Sequence, residues 1–215
     1  MPADWARNEA KAELRARLLA ARASRAADKD LGLSGSSPVA SMGGRTSALL
    51  TRRVLALPEV AAARWVAAYV SLPGEPETGR LLVQLRARGV GILLPSMRPD
   101  LDLDFREYNG SLIAGAFGTR EPPLGAKVVD LSQVDVIVVP ALAADVRGGR
   151  LGRGGGSYDR ALRRVRAGAL IVAIVHDREL VAHVPTESHD VGVHVIVAPH
   201  ATVRCGASGV LADMR

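Results

Sequence analysis

The chain has 215 residues, 48% of them hydrophobic and 3% aromatic, and its 28 basic and 22 acidic residues give a net charge of +6. This length and hydrophobic content are typical of one domain with a sizeable core. The shortage of aromatic side chains disfavours a base-stacking nucleic-acid surface, so the positive charge predicts a small anionic ligand.

Two absences in the sequence predict the compartment. Cys205 is the single cysteine, which disfavours an intramolecular disulfide framework and a cysteine-based zinc site. The chain contains no apolar run long enough for a membrane span, and its charged first residues lack the apolar centre of a signal peptide. We therefore expect a cytoplasmic protein that binds neither membranes nor nucleic acid.

The first predicted element is a helix over 5–27, a stretch rich in Ala, Leu, Arg and Glu without Gly or Pro. Lys11, Arg15 and Arg22 recur at near-helical spacing and share one face of this helix. Serine and glycine predict a mobile loop over 28–44, and a second helix is expected over 45–57.

Beyond residue 64 the pattern alternates. Strands are predicted at 65–71, 90–94, 103–108, 134–139, 170–175 and 193–197, with helices at 77–88 and 158–167. Apolar strands that alternate with helices predict a single α/β domain with a mainly parallel central sheet and helices on both faces. Ligands bind beyond the carboxyl ends of such strands, which is where Glu75, the segment 151–160 and the pair His176 and Asp177 are expected.

The segment 151–160 (LGRGGGSYDR) is the strongest candidate site. Gly154, Gly155 and Gly156 have no Cβ, so their backbone N–H groups can approach an oxyanion closely. The arginines around them, Arg150, Arg153 and Arg160, attract anions. The segment matches neither a Walker A sequence nor GxGxxG directly after a strand. It predicts a phosphate-binding loop, with a plain turn as the alternative.

Two carboxylates are candidate Mg²⁺ ligands. Asp159 lies at the edge of the glycine segment, where it could bind a metal with phosphates or simply stabilise the first turn of a helix. Asp190 lies in a loop, where Asp is common for turn chemistry alone, and composition favours that interpretation. The five histidines form no HExxH motif, which disfavours a zinc site.

The residues over 134–162 resemble the hallmark region of the 5-formyltetrahydrofolate cyclo-ligases, also called 5,10-methenyltetrahydrofolate synthetases. Other pieces follow in the order of that family: Lys11, Leu14, Arg15, Arg22, Glu75, Thr78, Gly118, Glu121, Pro122 and the stretch 185–190. The glycine and arginine segment is specific, whereas the other pieces gain weight from their order. Together they span nearly the whole chain.

This resemblance implies an ATP- and Mg²⁺-dependent conversion of 5-formyltetrahydrofolate to 5,10-methenyltetrahydrofolate, through phosphorylation of the formyl oxygen and ring closure. It implies Arg150 and Arg153 as catalytic residues. It implies an ATP site of Lys11, Arg15, Arg150, Gly152, Arg153, Gly154, Gly155, Gly156, Ser157 and Tyr158. It implies a folate site of Val70, Glu75, Arg153, Gly154 and Gly155.

The resemblance also implies Asp159 and Asp190 as Mg²⁺ ligands, which reverses the interpretation of Asp190 from composition. Ser157 departs from the family, which often has two adjacent tyrosines before the aspartate. We expect a monomer. A sugar-phosphate isomerase-like enzyme and a non-catalytic folate- or nucleotide-binding module are the alternatives.

Overall fold

The computed structural model describes residues 2–30 and 38–206. Its α-helices are α1 (Pro2–Asp30), α2 (Pro38–Leu55), α3 (Pro58–Ala61), α4 (Gly79–Ala87) and α5 (Ser157–Leu162). Its strands are β1 (Trp65–Ala67), β2 (Gly91–Met97), β3 (Leu103–Glu107), β4 (Ile113–Ala114), β5 (Arg120–Glu121), β6 (Val136–Pro140), β7 (Ala143–Ala144), β8 (Arg150–Leu151), β9 (Leu170–Ile174), β10 (Val195–Ala198) and β11 (Ala201–Arg204). None of the described helices is both long and apolar enough to cross a membrane.

Seven strands form the central sheet, in the order β11-β10-β9-β6-β1-β2-β3. The pairs from β10 to β2 are parallel, and the edge strands β3 and β11 are antiparallel to their neighbours. Side chains of β6 alternate between two apolar clusters, with Val136 and Val138 in one and Ile137 and Val139 in the other. Helices α2 and α4 contribute to the first cluster and α5 to the second. The predicted α/β domain with a mainly parallel sheet is confirmed.

Helix α1 packs against the loops at the carboxyl edge of the sheet. Its Leu14 and Leu18 form a separate apolar cluster with Leu142, Leu151 and their neighbours, which follow β6 or lie in β8. This packing directs the polar residues of α1 toward the glycine segment.

The amino-terminal half departs from prediction around residues 28–44. Helix α1 extends to Asp30 and α2 begins at Pro38, so the predicted loop overlaps both helices, and its centre, 31–37, lies outside the described residues. Proline suits the first turn of a helix. Helix α2 packs against α4 and includes Gly43 and Gly44 despite their low helix propensity.

Several other predicted bounds were wrong. Strand β1 ends at Ala67, and two residues beyond its end the Tyr69 carbonyl accepts the Thr78 hydroxyl at 2.6 Å. Helix α5 ends at Leu162 rather than 167, because Arg166 bonds Asp135 at 2.6 Å and holds the turn into β9. Strand β11 and the two small hairpins, β4–β5 and β7–β8, were not predicted.

Candidate active site

The glycine loop, residues 152–156, connects β8 to α5 at the carboxyl edge of the sheet. Gly154 has φ +105° and Gly156 has φ +67°, a region in which only glycine is unstrained. A Cβ on Gly156 would also lie 3.1 Å from the Arg160 guanidinium. Gly155 has no positive φ, so the backbone conformation requires glycine at 154 and 156 only.

Carboxylates hold the two arginines predicted to be catalytic. The buried Arg150 guanidinium donates to Asp159 Oδ1 at 2.7 Å, while its Nε has no hydrogen-bond partner within the described chain. Arg153 is half exposed, and its Nε lies 3.3 Å from Glu75 Oε1. Both guanidinium groups therefore lie beside the glycine loop, and that of Arg153 still faces solvent.

Helix α1 brings Arg15 to this loop and Lys11 to the segment 187–190. Arg15 Nε donates to the Gly152 carbonyl at 3.1 Å, and the Arg15 side chain lies within 4 Å of a Cβ built on Gly154. Lys11 Nζ is 2.6 Å from both Glu187 Oε2 and Asp190 Oδ2. Burial opposes the charge of Lys11, but these two hydrogen bonds outweigh it and raise its pKa.

Asp190 is one of three neighbouring groups that could ligate a metal. The ligand atoms of Glu187, His189 and Asp190 lie within 4.8 Å of one another. Asp159 is outside this group, but Val191, which follows Asp190, donates its N–H to Asp159 Oδ1 at 3.2 Å. Asp159 and Asp190 thus lie on touching segments, and the nearest further donors, Glu187 and His189, were not predicted.

The residues predicted to contact folate follow β1. Glu75 Oε2 accepts the Leu72 N–H at 2.9 Å, which fixes the carboxylate at the turn after the strand. Val70 is half-buried against the apolar cluster under α2 and α4.

Tyr158 packs on the opposite cluster, and its burial, together with the nearby Glu75 carboxylate, raises its pKa so that the phenol stays protonated. Ser157 instead donates its hydroxyl to the Leu101 carbonyl at 2.7 Å.

The segment after β9 supports the same edge. His176 Nε2 lies 3.2 Å from the Gly74 carbonyl, next to Glu75. Asp177 pairs with His200 Nδ1 at 2.8 Å. Of the pair predicted at the sheet edge, His176 therefore contacts the Glu75 turn, whereas Asp177 pairs with His200 instead.

Asp145 shapes the turn that leads into β8. Its Oδ1 accepts the N–H groups of Arg147 and Gly149 at 2.9 and 3.1 Å, and its Oδ2 accepts that of Val184 at 2.7 Å. Burial opposes the charge, but the three N–H donors outweigh it and lower the pKa of Asp145.

This arrangement predicts a loss of stability in acid. A lowered pKa stabilises the fold above the unfolded pKa of about 3.9, and that contribution disappears as the pH falls through the folded value. Asp145→Asn should lower the free energy of unfolding at pH 7 by about 1–3 kcal/mol, and the difference from the parent should shrink at pH 3. Urea unfolding at the two pH values measures both, and an unchanged difference would contradict the assignment.

Comparison with known proteins decides the family. The family model described as the 5-formyltetrahydrofolate cyclo-ligase family matches residues 7–199. The chain belongs to this family. The match includes most of α1, the Glu75 turn, the glycine loop and the 187–190 segment, so it covers the candidate site residues described above.

Curated cyclo-ligases and solved structures agree with this membership. A 5-formyltetrahydrofolate cyclo-ligase of Mycolicibacterium smegmatis is 43% identical over 63% of this chain and 74% of its own length. One of Escherichia coli K12 is 35% identical over 68% of this chain and 84% of its own. The structure of Aquifex aeolicus 5,10-methenyltetrahydrofolate synthetase superposes with a TM-score of 0.75 at 28% identity, covering 94% of this chain and 95% of that one.

Membership of the cyclo-ligase family confirms the resemblance seen in the sequence, and the chain is accordingly an enzyme of this family. The structure brings the predicted residues of α1, the Glu75 turn and the glycine loop to one edge. Sequence reasoning missed Glu187 and His189, although both lie within the stretch 185–190 that carried part of the resemblance. The spacing ExHD was the available signal.

Proposed function

We propose that this cyclo-ligase converts 5-formyltetrahydrofolate and ATP to 5,10-methenyltetrahydrofolate, ADP and phosphate in the presence of Mg²⁺. The observation that carries the proposal is the meeting of the glycine loop, Arg150, Arg153 and Glu75 at one sheet edge. A loop with positive φ and two adjacent guanidinium groups suits phosphate, and a neighbouring carboxylate suits the N–H donors of a pterin.

The chemistry explains the need for ATP. A formamide oxygen is a poor leaving group, so the γ-phosphoryl group is first transferred to it, which gives an activated imidate and ADP. The folate N10 amine then attacks the formyl carbon, its proton is lost, and the C–O bond breaks with departure of phosphate. The protein mainly positions the reactants and stabilises charge.

Each side chain has a role consistent with its place. Lys11 and Arg15 would bind ATP phosphates from α1, and the backbone of 152–156 would hold the transferred phosphoryl group. Arg153, which is half exposed, would stabilise charge on the formyl oxygen as the phosphate is transferred. Glu75 would hold the pterin, with Val70 lining the pocket.

The carboxylates of Asp159, Asp190 and Glu187 provide the hard oxygen donors that Mg²⁺ prefers. Asp190 and Glu187 both lie 2.6 Å from the Lys11 ammonium. These two carboxylates therefore already hold one cation in this structure, and their oxygens suit another. Mg²⁺ held there would neutralise charge on the phosphates of ATP.

Asp159→Asn should lower turnover about 10–100-fold at limiting Mg²⁺, while the affinity for folate changes little because Asp159 does not contact Glu75. Steady-state rates across a Mg²⁺ series and equilibrium folate binding measure the two effects. Asp177→Asn, which removes a carboxylate at the same edge, is the control. Equal losses of turnover and folate affinity would count against the metal role.

The direct assay mixes the protein with 5-formyltetrahydrofolate, ATP and Mg²⁺ and follows the methenyl chromophore. We expect the chromophore to form only when all three are present. ATP with Mg²⁺ should also raise the melting temperature, which an isomerase without an ATP site would not show. Binding of folate and ATP without any chromophore would identify a binding module and refute the proposed catalysis.

A further inference from the structure

Two adjoining cavities lie away from the glycine loop, and neither is lined by a residue of the candidate active site. Each measures about 480 Å³, and Arg88 lines both. One is bounded by Trp65 and Gly91, which begin β1 and β2, so it lies at the sheet edge opposite the active site. The other runs between α2 and α4. We call them together the arginine groove.

Positive charge without a partner characterises this groove. Arg52, Arg64, Arg80 and Arg88 are exposed and line it, and none of their side chains has a hydrogen bond or ion pair within residues 2–30 and 38–206. No acidic residue lines either cavity. Guanidinium groups that share a groove repel one another until an anion neutralises them.

The helix dipoles account for only part of this pattern. Arg52 lies in the last turn of α2 and Arg88 is the C-cap of α4, where a cation is favourable. Arg80, however, lies in the first turn of α4, where a cation is unfavourable and which contains no acidic residue. Arg80, Gln84 and Arg88 are spaced by four residues and form one row along the groove.

A buried hydroxyl supplies a second, independent observation. Thr51 lines the groove with only 5% of its surface exposed, and its Oγ1 has no hydrogen-bond partner in the described chain. A buried hydroxyl left unpaired is unfavourable, so a ligand that enters the groove as far as Thr51 would supply a missing hydrogen-bond partner.

We infer that the arginine groove is a second binding site, separate from the active site, for an extended anion with two or more phosphate or carboxylate groups. Guanidinium forks bind both groups with paired hydrogen bonds. Arg80 and Arg88 are eight positions apart, which is about 12 Å at the helical rise. The row can therefore contact several linked anionic groups. This inference does not depend on the proposed reaction.

Trp65 provides a local probe for the test. The chain has two tryptophans, Trp5 and Trp65, and Trp5 is 69% exposed on α1, so Trp5→Phe leaves Trp65 as the single tryptophan. Titration of this variant with inorganic tripolyphosphate should change the Trp65 fluorescence to saturation. A parallel titration with triglutamate distinguishes phosphate from carboxylate chemistry.

The matched variants are Arg88→Gln and Arg86→Gln. Both remove one positive charge from the end of α4, but Arg86 lines neither cavity. Arg88→Gln should weaken binding at least about tenfold, whereas Arg86→Gln should leave it within about twofold, and turnover should be unchanged in both. Isothermal titration of the same variants measures binding without relying on fluorescence; because tripolyphosphate can also bind the glycine loop, the binding that Arg88→Gln loses and Arg86→Gln keeps is the binding at the groove. Equal weakening in the two variants, or no saturable binding of either anion by both methods, would overturn the inference.

Discussion

Replacement of Arg153 by alanine is expected to lower turnover by about 10²–10³-fold, the usual loss when a donor to a developing oxyanion is removed. Arg153 is half exposed beside the glycine loop, and among the described residues its side chain pairs with Glu75 alone, at 3.3 Å. Its guanidinium can therefore turn toward the formyl oxygen when a substrate binds. Steady-state kcat and KM for both substrates measure the effect.

Two variants separate charge stabilisation from the loss of the Glu75 contact. Glu75→Gln breaks the same ion pair but keeps the guanidinium, so it should raise the KM for folate more than it lowers kcat. Arg166→Ala, which breaks a surface pair with Asp135 at the other end of the sheet, should leave both constants unchanged. An unaffected rate in Arg153→Ala would remove this arginine from the mechanism.

The second large effect is on stability. Arg22 of α1 is buried and donates to both oxygens of Glu179, at 2.9 and 2.8 Å, and to the Ala141 carbonyl at 2.7 Å. Arg22→Ala removes the cation and both hydrogen bonds that Arg22 supplies to the buried Glu179 carboxylate, so the free energy of unfolding should fall by about 3–5 kcal/mol. Urea unfolding monitored by circular dichroism measures the change.

An exposed pair provides the control for Arg22. Arg204 forms two hydrogen bonds with Glu59, at 2.8 and 3.0 Å, but both side chains are open to solvent. Arg204→Ala should therefore cost about 0–1 kcal/mol. A similar small loss in both variants would mean that the Arg22 pair does not anchor α1.

The sequence predicted the elements whose signal is local. The apolar runs that form β6 and β9 are buried on both faces, so their composition alone indicated a parallel sheet. The glycines at 154 and 156 indicated the loop for a similar reason, because the required φ is a property of the residue itself.

The features missed depend on contacts between distant residues. Lys11 reaches Asp190 across 179 positions, and no local pattern in the sequence pairs these two residues. Helix α2 packs against α4, a contact between distant residues, and includes two glycines in its first turns despite their low helix propensity. Strand β11 forms because the sheet edge offers a partner in β10, not because four residues specify a strand.

The central claim is that the formyl oxygen of the folate meets the γ-phosphate of ATP at the glycine loop. The most direct measurement is a single-turnover reaction of 5-formyltetrahydrofolate labelled with ¹⁸O in the formyl group, with mass analysis of the phosphate released. We predict that the phosphate carries the label, since its departure takes the formyl oxygen with it. Unlabelled phosphate, formed together with the methenyl product, would contradict phosphorylation of that oxygen.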